Sequence, residues 1–282
     1  MARKLFCEIS PLTYQISTEK EIMLRKLRNM KLRSRFAHEK SSEKLEIRLY
    51  RHTSLIRRRL GNVDMQLQEN KAVNLALAAP KVDHVLIKPG QIFSFWELVG
   101  KPSKSSGYRE GLVIASGKPD QGIGGGMCQF TNLIHWMVLH SDLKIIEHHH
   151  HDGVDLFPDF GRVIPFGTGT SILYNYLDYR FLNDTDRTYQ LITYISDGYL
   201  CGELRCSQRP LLKYHIECRN EFFSREKDGV YRNNEIYRIT VDTRTGNKVS
   251  EELLRKNHAK IAYDPSGLEL VDCTDQEKNL PK

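Results

Sequence analysis

The residues Gly124-Gly125-Gly126-Met127-Cys128-Gln129 place a sulfur nucleophile directly after a run of glycines. Phe130, Leu133, Ile134, Met137 and Val138 then recur at helical spacing, so the sequence predicts a helix beginning near Met127 or Cys128. A cysteine at that place sits among the free N–H groups and the positive end of the first turn, which favour its thiolate. The same N–H groups can stabilise the oxyanion formed when sulfur attacks a carbonyl, and Gln129 adds a side-chain donor. Gly124, Gly125 and Gly126 would let the backbone approach a substrate closely, and with Met127 they are the expected substrate-binding residues. The loop lacks the spacing of a phosphate-binding P-loop, so an anion cradle ranks below thiol catalysis.

Downstream, Leu143 to Glu147 reads as a strand that ends in His148-His149-His150-His151. A short connection favours a strand antiparallel to the preceding helix, which returns the histidines toward Cys128. One imidazole could then take the thiol proton and later protonate the leaving amine. On spacing alone any of the four histidines fits, and Asp152, Asp155 or Asp159 could orient it. Alternation along a strand also puts His149 and His151 on one face, where Asp155 or Cys128 could join them around zinc. No second ligand pair stands at a recognisable spacing, and neither metal nor other cofactor is expected. His135 and His140 fall on the predicted helix and read as packing or solvent residues.

The elements that must position these groups are an α+β set: N-terminal helices, then a mixed core with the Cys-bearing helix and a largely antiparallel sheet. Glu19 to Arg35 reads as a basic amphipathic helix with Ile22, Met23, Leu27 and Met30 on one side. Ser41 and Ser42 are candidate caps for a second helix carrying Leu45, Leu49, Ile56 and Leu60 and closing at Gly61. A third helix spans about Gln66 to Ala79 and is closed by Pro80. Val85-Leu86-Ile87 and Ile92 to Phe95 read as strands around a Pro89-Gly90 turn, and Leu112 to Ala115 as a strand within a loop. Alternation predicts strands over Ser171 to Phe181, Tyr189 to Ile195 and Tyr199 to Leu204, the last two joined at Asp197-Gly198. The expected divisions are a basic helical extension (1–64), a core (65–208) and a β-rich C-terminal extension (209–282).

The 282 residues can bury a full core, and 40% hydrophobic with 27% charged residues excludes a disordered or multi-span membrane protein. The net charge of +7 is local: residues 1–60 hold 16 Lys and Arg against 6 Asp and Glu, so they carry +10 and the rest −3. No nucleic-acid partner is expected; the basic helix reads first as a solvated element laid against the main domain, with a weak membrane-surface or polyanion contact through residues 19–60 as the functional alternative. The start has no apolar signal core, so the expectation is a cytoplasmic protein, with membrane association as its variant. The six cysteines lack C-x-x-C spacing and read as reduced.

Gly-Gly-Gly-Met-Cys-Gln at 124–129, Lys88-Pro-Gly-Gln-Ile-Phe-Ser-Phe-Trp96, and Glu147-x-x-x-His151 followed by Asp155-x-Phe-Pro-Asp159 together resemble the VanW family, from about Asn70 to Asp197. That family is named for an accessory protein of vancomycin-resistance clusters. The resemblance implies cysteine L,D-transpeptidase chemistry on a peptidoglycan peptide or precursor, with Cys128 as nucleophile and His151 as the matching histidine. The reaction would attack the carbonyl before a terminal D-Ala, form a thioester and pass the acyl group to an amine or water. The competing expectation is a non-catalytic protein that binds a cell-wall precursor or another anion through the glycine loop.

Overall fold

The computed structural model describes residues 5–58, 64–115, 118–150, 153–159 and 162–273. Its α-helices are α1 (Pro11–Leu32), α2 (Met65–Val82), α3 (Phe95–Val99) and α4 (Met127–Leu139). The strands are β1 (Ile47–Leu55), β2 (Val85–Ile87), β3 (Ile92–Ser94), β4 (Glu110–Ala115), β5 (Lys118–Ile123), β6 (Lys144–Glu147) and β7 (Val154–Asp155). They continue with β8 (Arg180–Leu182), β9 (Tyr189–Ser196), β10 (Tyr199–Cys206), β11 (Leu212–Glu226), β12 (Gly229–Asp242), β13 (Lys248–Ile261) and β14 (Leu270–Asp272). The fold is α+β and its pairings are mainly antiparallel, in sheets ordered β1-β10-β9-β2, β14-β11-β12-β13-β7, β3-β8-β6 and β4-β5.

The hairpin β9–β10 forms where the sequence asks for it. Asp197 (φ 51°) and Gly198 (φ 80°) are both left-handed, as a type I′ turn requires, and Ser196 faces Tyr199. Helix α4 crosses this sheet at Gly202, where a Cβ would stand 2.7 Å from Met137 Cε and 2.8 Å from Leu133 Cδ2. The missing side chain is what lets the helix lie close. α4 is buried almost all round, as a central helix must be when it is apolar on most sides. Phe93, Phe95, Phe130, Leu133, Met137, Tyr179, Phe181 and Tyr189 join it in one core.

Three expectations are corrected. Residues 47–55 form β1, an edge strand against β10, and not part of a second helix. The spacing of Leu45, Leu49 and Ile56 fits a helix, but exposure alternates as a strand's does, with one shift at Arg48/Tyr50. Leu60 and Gly61 lie outside the described residues. Helix α2 runs past Pro80 to Val82, because the Asp83 N–H still reaches Ala79 O at 2.9 Å. The strand predicted over 171–181 shrinks to Arg180–Leu182; the residues before it make a tight turn in which the Leu173 and Leu177 backbones bond each other.

Helix α1 attaches through its polar residues. Arg25 pairs with Glu147, Asn29 Nδ2 donates to Glu97 Oε1 at 2.6 Å and accepts from Arg180 at Oδ1 (2.8 Å), and Asn175 donates to Ile22 O. Leu12, Ile16, Met23, Leu27 and Met30 remain exposed. Among the described residues no helix is long and apolar enough to cross a membrane.

Candidate active site in a basic cleft

The glycine run is fixed from three sides. The Asn74 side chain, fully buried on α2, donates from Nδ2 to Gly125 O (2.9 Å) and Arg109 O (3.0 Å) and accepts the Arg109 N–H (2.8 Å). A Cβ at 124 would stand 2.5 Å from Pro102 Cβ, one at 125 would stand 2.6 Å from Gly111 Cα, and one at 126 would stand 2.5 Å from Lys71 Cγ. All three glycines are therefore needed for close packing inside the protein, whatever they offer a ligand. Gly126 (φ 107°) is the N-cap of α4, and Cys128 is the second residue of that helix.

This corner opens on a cleft of about 1250 Å³. Its walls include the 122–129 segment, Trp96 of α3, Ser54 and Arg58 at the end of β1, Gln68 and Lys71 of α2, the stretch from Arg162 to Pro165, and Ile172 to Tyr174. Cys128 is partly exposed. Burial pushes its thiol pKa up, while the backbone N–H of Ile172 and its own N–H act in the opposite direction. The lowering expected from the helix end is thus outweighed by desolvation, and the resting sulfur is a thiol.

The other sequence candidates divide. Gln129 is turned to structure: its Nε2 donates to Ser54 Oγ (2.8 Å) and Leu55 O (2.9 Å), fastening α4 to β1. Met127 belongs to the core and borders the cleft. His148 donates from Nε2 to Gly169 O (3.1 Å), and its ring lies tilted beside His135 and edge-on to His150, with ring centroids 4.1 Å and 3.9 Å away. His135 is buried with Nδ1 at 3.1 Å from Tyr179 Oη, and burial holds its pKa well below the usual histidine range. His149 meets Glu147 at 3.1 Å. None of His148, His149 and His150 lines the cleft. His151 and Asp152 lie outside the described residues. Among the described residues no group of three or more His, Cys, Asp and Glu side chains is gathered to hold a metal.

Asp155 and Asp159 bind Arg232 of β12. Asp155 Oδ2 is 3.3 Å from Arg232 and accepts from Tyr263 at 2.9 Å, while Asp159 and Glu221 pair with the same guanidinium. Burial raises the Asp155 pKa against the pull of Tyr263 and Arg232. In this arrangement both carboxylates anchor a loop and neither meets a described imidazole beside Cys128. The anchored loop supplies Phe157, Arg162, Val163, Ile164 and Pro165 to the cleft.

Lys71, Gln68 and Trp96 were not singled out as site residues in the sequence. A signal existed for Lys71: with Leu67, Leu75, Ala78 and Val82 it lies on the buried stripe of α2, where a lone cation is out of place. Trp96 ends the Phe-Ser-Phe-Trp motif, its Nε1 donating to Leu177 O at 2.9 Å.

Comparison with known proteins agrees with this architecture's sequence landmarks. Residues 70–205 match the family model described as VanW like protein. The chain is 38% identical over 200 residues, 71% of its length and 72% of the relative's, to the vancomycin B-type resistance protein VanW of Enterococcus faecalis (strain ATCC 700802 / V583). It is 26% identical over 118 residues, 41% of its length and 36% of the relative's, to the uncharacterized protein YoaR of Bacillus subtilis (strain 168). No solved structure matches it. With the glycine loop, Cys128 and Trp96 all inside the matched segment, the chain belongs to the VanW family.

Proposed function

We propose that the protein is a cysteine-dependent acyl transferase or amidase, L,D-transpeptidase-like, acting on peptidoglycan-type peptides or precursors. The observation that carries this reading is the Cys128 thiol on the second residue of α4, at the wall of a cleft large enough for a peptide. The relative's name, which ties it to vancomycin resistance, supports a cell-wall substrate and an accessory role in glycopeptide resistance.

Because the resting sulfur is protonated, a base must take its proton as the Sγ–C bond forms. His151 is the base in this reading, by its sequence match. The carbonyl oxygen gains the negative charge, which the first-turn N–H groups of α4, lacking intrahelical acceptors, stabilise. The C–N bond then breaks and the amine leaves with the proton; a second amine or water attacks the thioester and restores the thiol. Incubation with a stem tetrapeptide ending in D-Ala should add the acyl mass to the intact protein, and Cys128→Ser should abolish the adduct and turnover. Bound peptide with no adduct and no turnover in the native protein would establish the binding-protein reading instead.

For the N-terminal region the reading is a weak contact with an anionic membrane surface. It is supported by the exposed apolar side of α1, which holds the core by its polar residues, together with the cations Lys20, Lys26, Arg28 and Lys31 on the same helix.

A further inference from the structure

We propose that Arg58, Lys71 and the side-chain amide of Gln68 form a carboxylate-binding subsite in the cleft, which takes the free C-terminal carboxylate of a peptide ligand. The inference rests on the proposed reading that the cleft holds a peptide, and it assigns the group by which one end of that peptide is recognised.

The charge of the walls is one-sided. Arg57, Arg58, Lys71, Lys101 and Arg162 line the cleft, and among the described residues no Asp or Glu does. Two of the five are answered elsewhere: Arg57 makes a two-pronged pair with Glu69 (2.7 and 2.8 Å), and Arg162 is 3.9 Å from Asp159. Arg58 and Lys71 have no carboxylate partner among the described residues. Lys71 is 7% exposed, and burial together with the Arg58 charge lowers its pKa to about 8. Burial and Arg162 lower that of Arg58 in turn. Like charges are thus gathered, partly desolvated, with nothing anionic between them.

An independent sign comes from Gln68. It is 1% exposed, lines the same cleft, and accepts the Arg58 N–H at Oε1 (3.3 Å). Its Nε2 is buried and donates to nothing among the described residues. A buried amide donor without an acceptor is costly and rare, and an oxyanion beside Lys71 and Arg58 would satisfy it. The Lys71 stem crosses Gly126, the N-cap of α4, so the positive end of that helix adds to the same field. The apolar walls of Val113, Ile123, Phe157, Val163 and Ile164 suit a peptide body behind one carboxylate better than a bare or doubly charged phosphate.

The test uses the full-length Cys128→Ser protein, so that binding is read without turnover. Calorimetric titration at pH 7 compares diacetyl-Lys-D-Ala with the same peptide as its C-terminal amide. The carboxylate form should bind at least tenfold tighter. Lys71→Met and Arg58→Gln should each erase most of that preference, and it should shrink above pH 8 as Lys71 loses its proton. Equal affinity for the two forms, binding of neither, or a preference unaltered in both variants overturns the subsite. Displacement of the peptide by inorganic phosphate at lower concentration than by acetate overturns the carboxylate assignment in favour of a phosphate. The acyl-transfer reading fails separately: a native protein that gains an adduct while ignoring the carboxylate refutes the subsite alone, and a carboxylate preference without an adduct refutes catalysis alone.

Discussion

At Cys128 two familiar effects oppose each other, and the surroundings decide between them. The helix start and the Ile172 N–H favour a thiolate, yet burial outweighs them and raises the pKa. Burial is a sum over neighbours brought from distant parts of the chain, so the sequence at 124–129 carries only the first effect. Lys71 shows the same sum with the sign reversed for a cation. Its folded pKa of about 8 lies below the ordinary 10.5, so between these values the unfolded chain holds a proton that the folded one has released. Stability therefore rises with pH across that window, and the full cost of burying the ammonium is present below pH 8. Lys71→Met should stabilise the protein by about 2–3 kcal/mol at pH 7 and by much less at pH 10, as read from urea melts at the two pH values. An equal gain at both would mean that packing, not charge, sets the effect.

At the level of elements, α4, β2, β3 and the β9–β10 hairpin were legible because periodicity and turn chemistry agree there. The glycine loop was legible as a special place but not for its full reason. Its glycines are demanded by Pro102, Gly111 and Lys71, contacts between segments that the linear pattern does not join. Gly125→Ala should cost about 2–3 kcal/mol, since a Cβ would meet rigid backbone at 111. Gly90→Ala, with open space but φ of 78°, should cost about 1 kcal/mol, and thermal melts of the two variants compare them. β1 reads as a helix from its sequence because Leu45 and Leu49, four apart, satisfy the helical and the strand period at once, and only the pairing with β10 settles which applies. Helix α1 was legible as basic and amphipathic, but not which side would face the core. Sedimentation with vesicles containing anionic lipid should pull down the native protein and less of a Met23→Gln/Leu27→Gln variant; equal sedimentation would remove the membrane contact.

Across the whole molecule the β11–β12–β13 sheet acts on the cleft from behind. Arg232 gathers Asp155, Asp159 and Glu221, and β13 pairs in parallel with β7 through Lys260 and Val154. Arg232→Ala leaves Asp155, 4% exposed, without its cation and should cost roughly 3–5 kcal/mol. Hydrogen exchange in peptides covering 153–159 and 162–167 should speed up more than in α4; uniform change would show that the sheet supports the fold without holding that loop in particular. Spacing places these carboxylates near the histidines in sequence, but their partner is 77 residues beyond Asp155 and 73 beyond Asp159, out of the reach of any local pattern. The same separation imposes an order on manufacture. When the whole family-matched segment, Cys128 included, has just been synthesised, β12 and β13 have not, so the nascent chain carries its thiol before Arg232 can fasten the loop at Asp155 and Asp159. A chain cut short after residue 205 would therefore carry the full signature of its family beside a cleft whose Phe157 and Arg162 wall has lost its anchor.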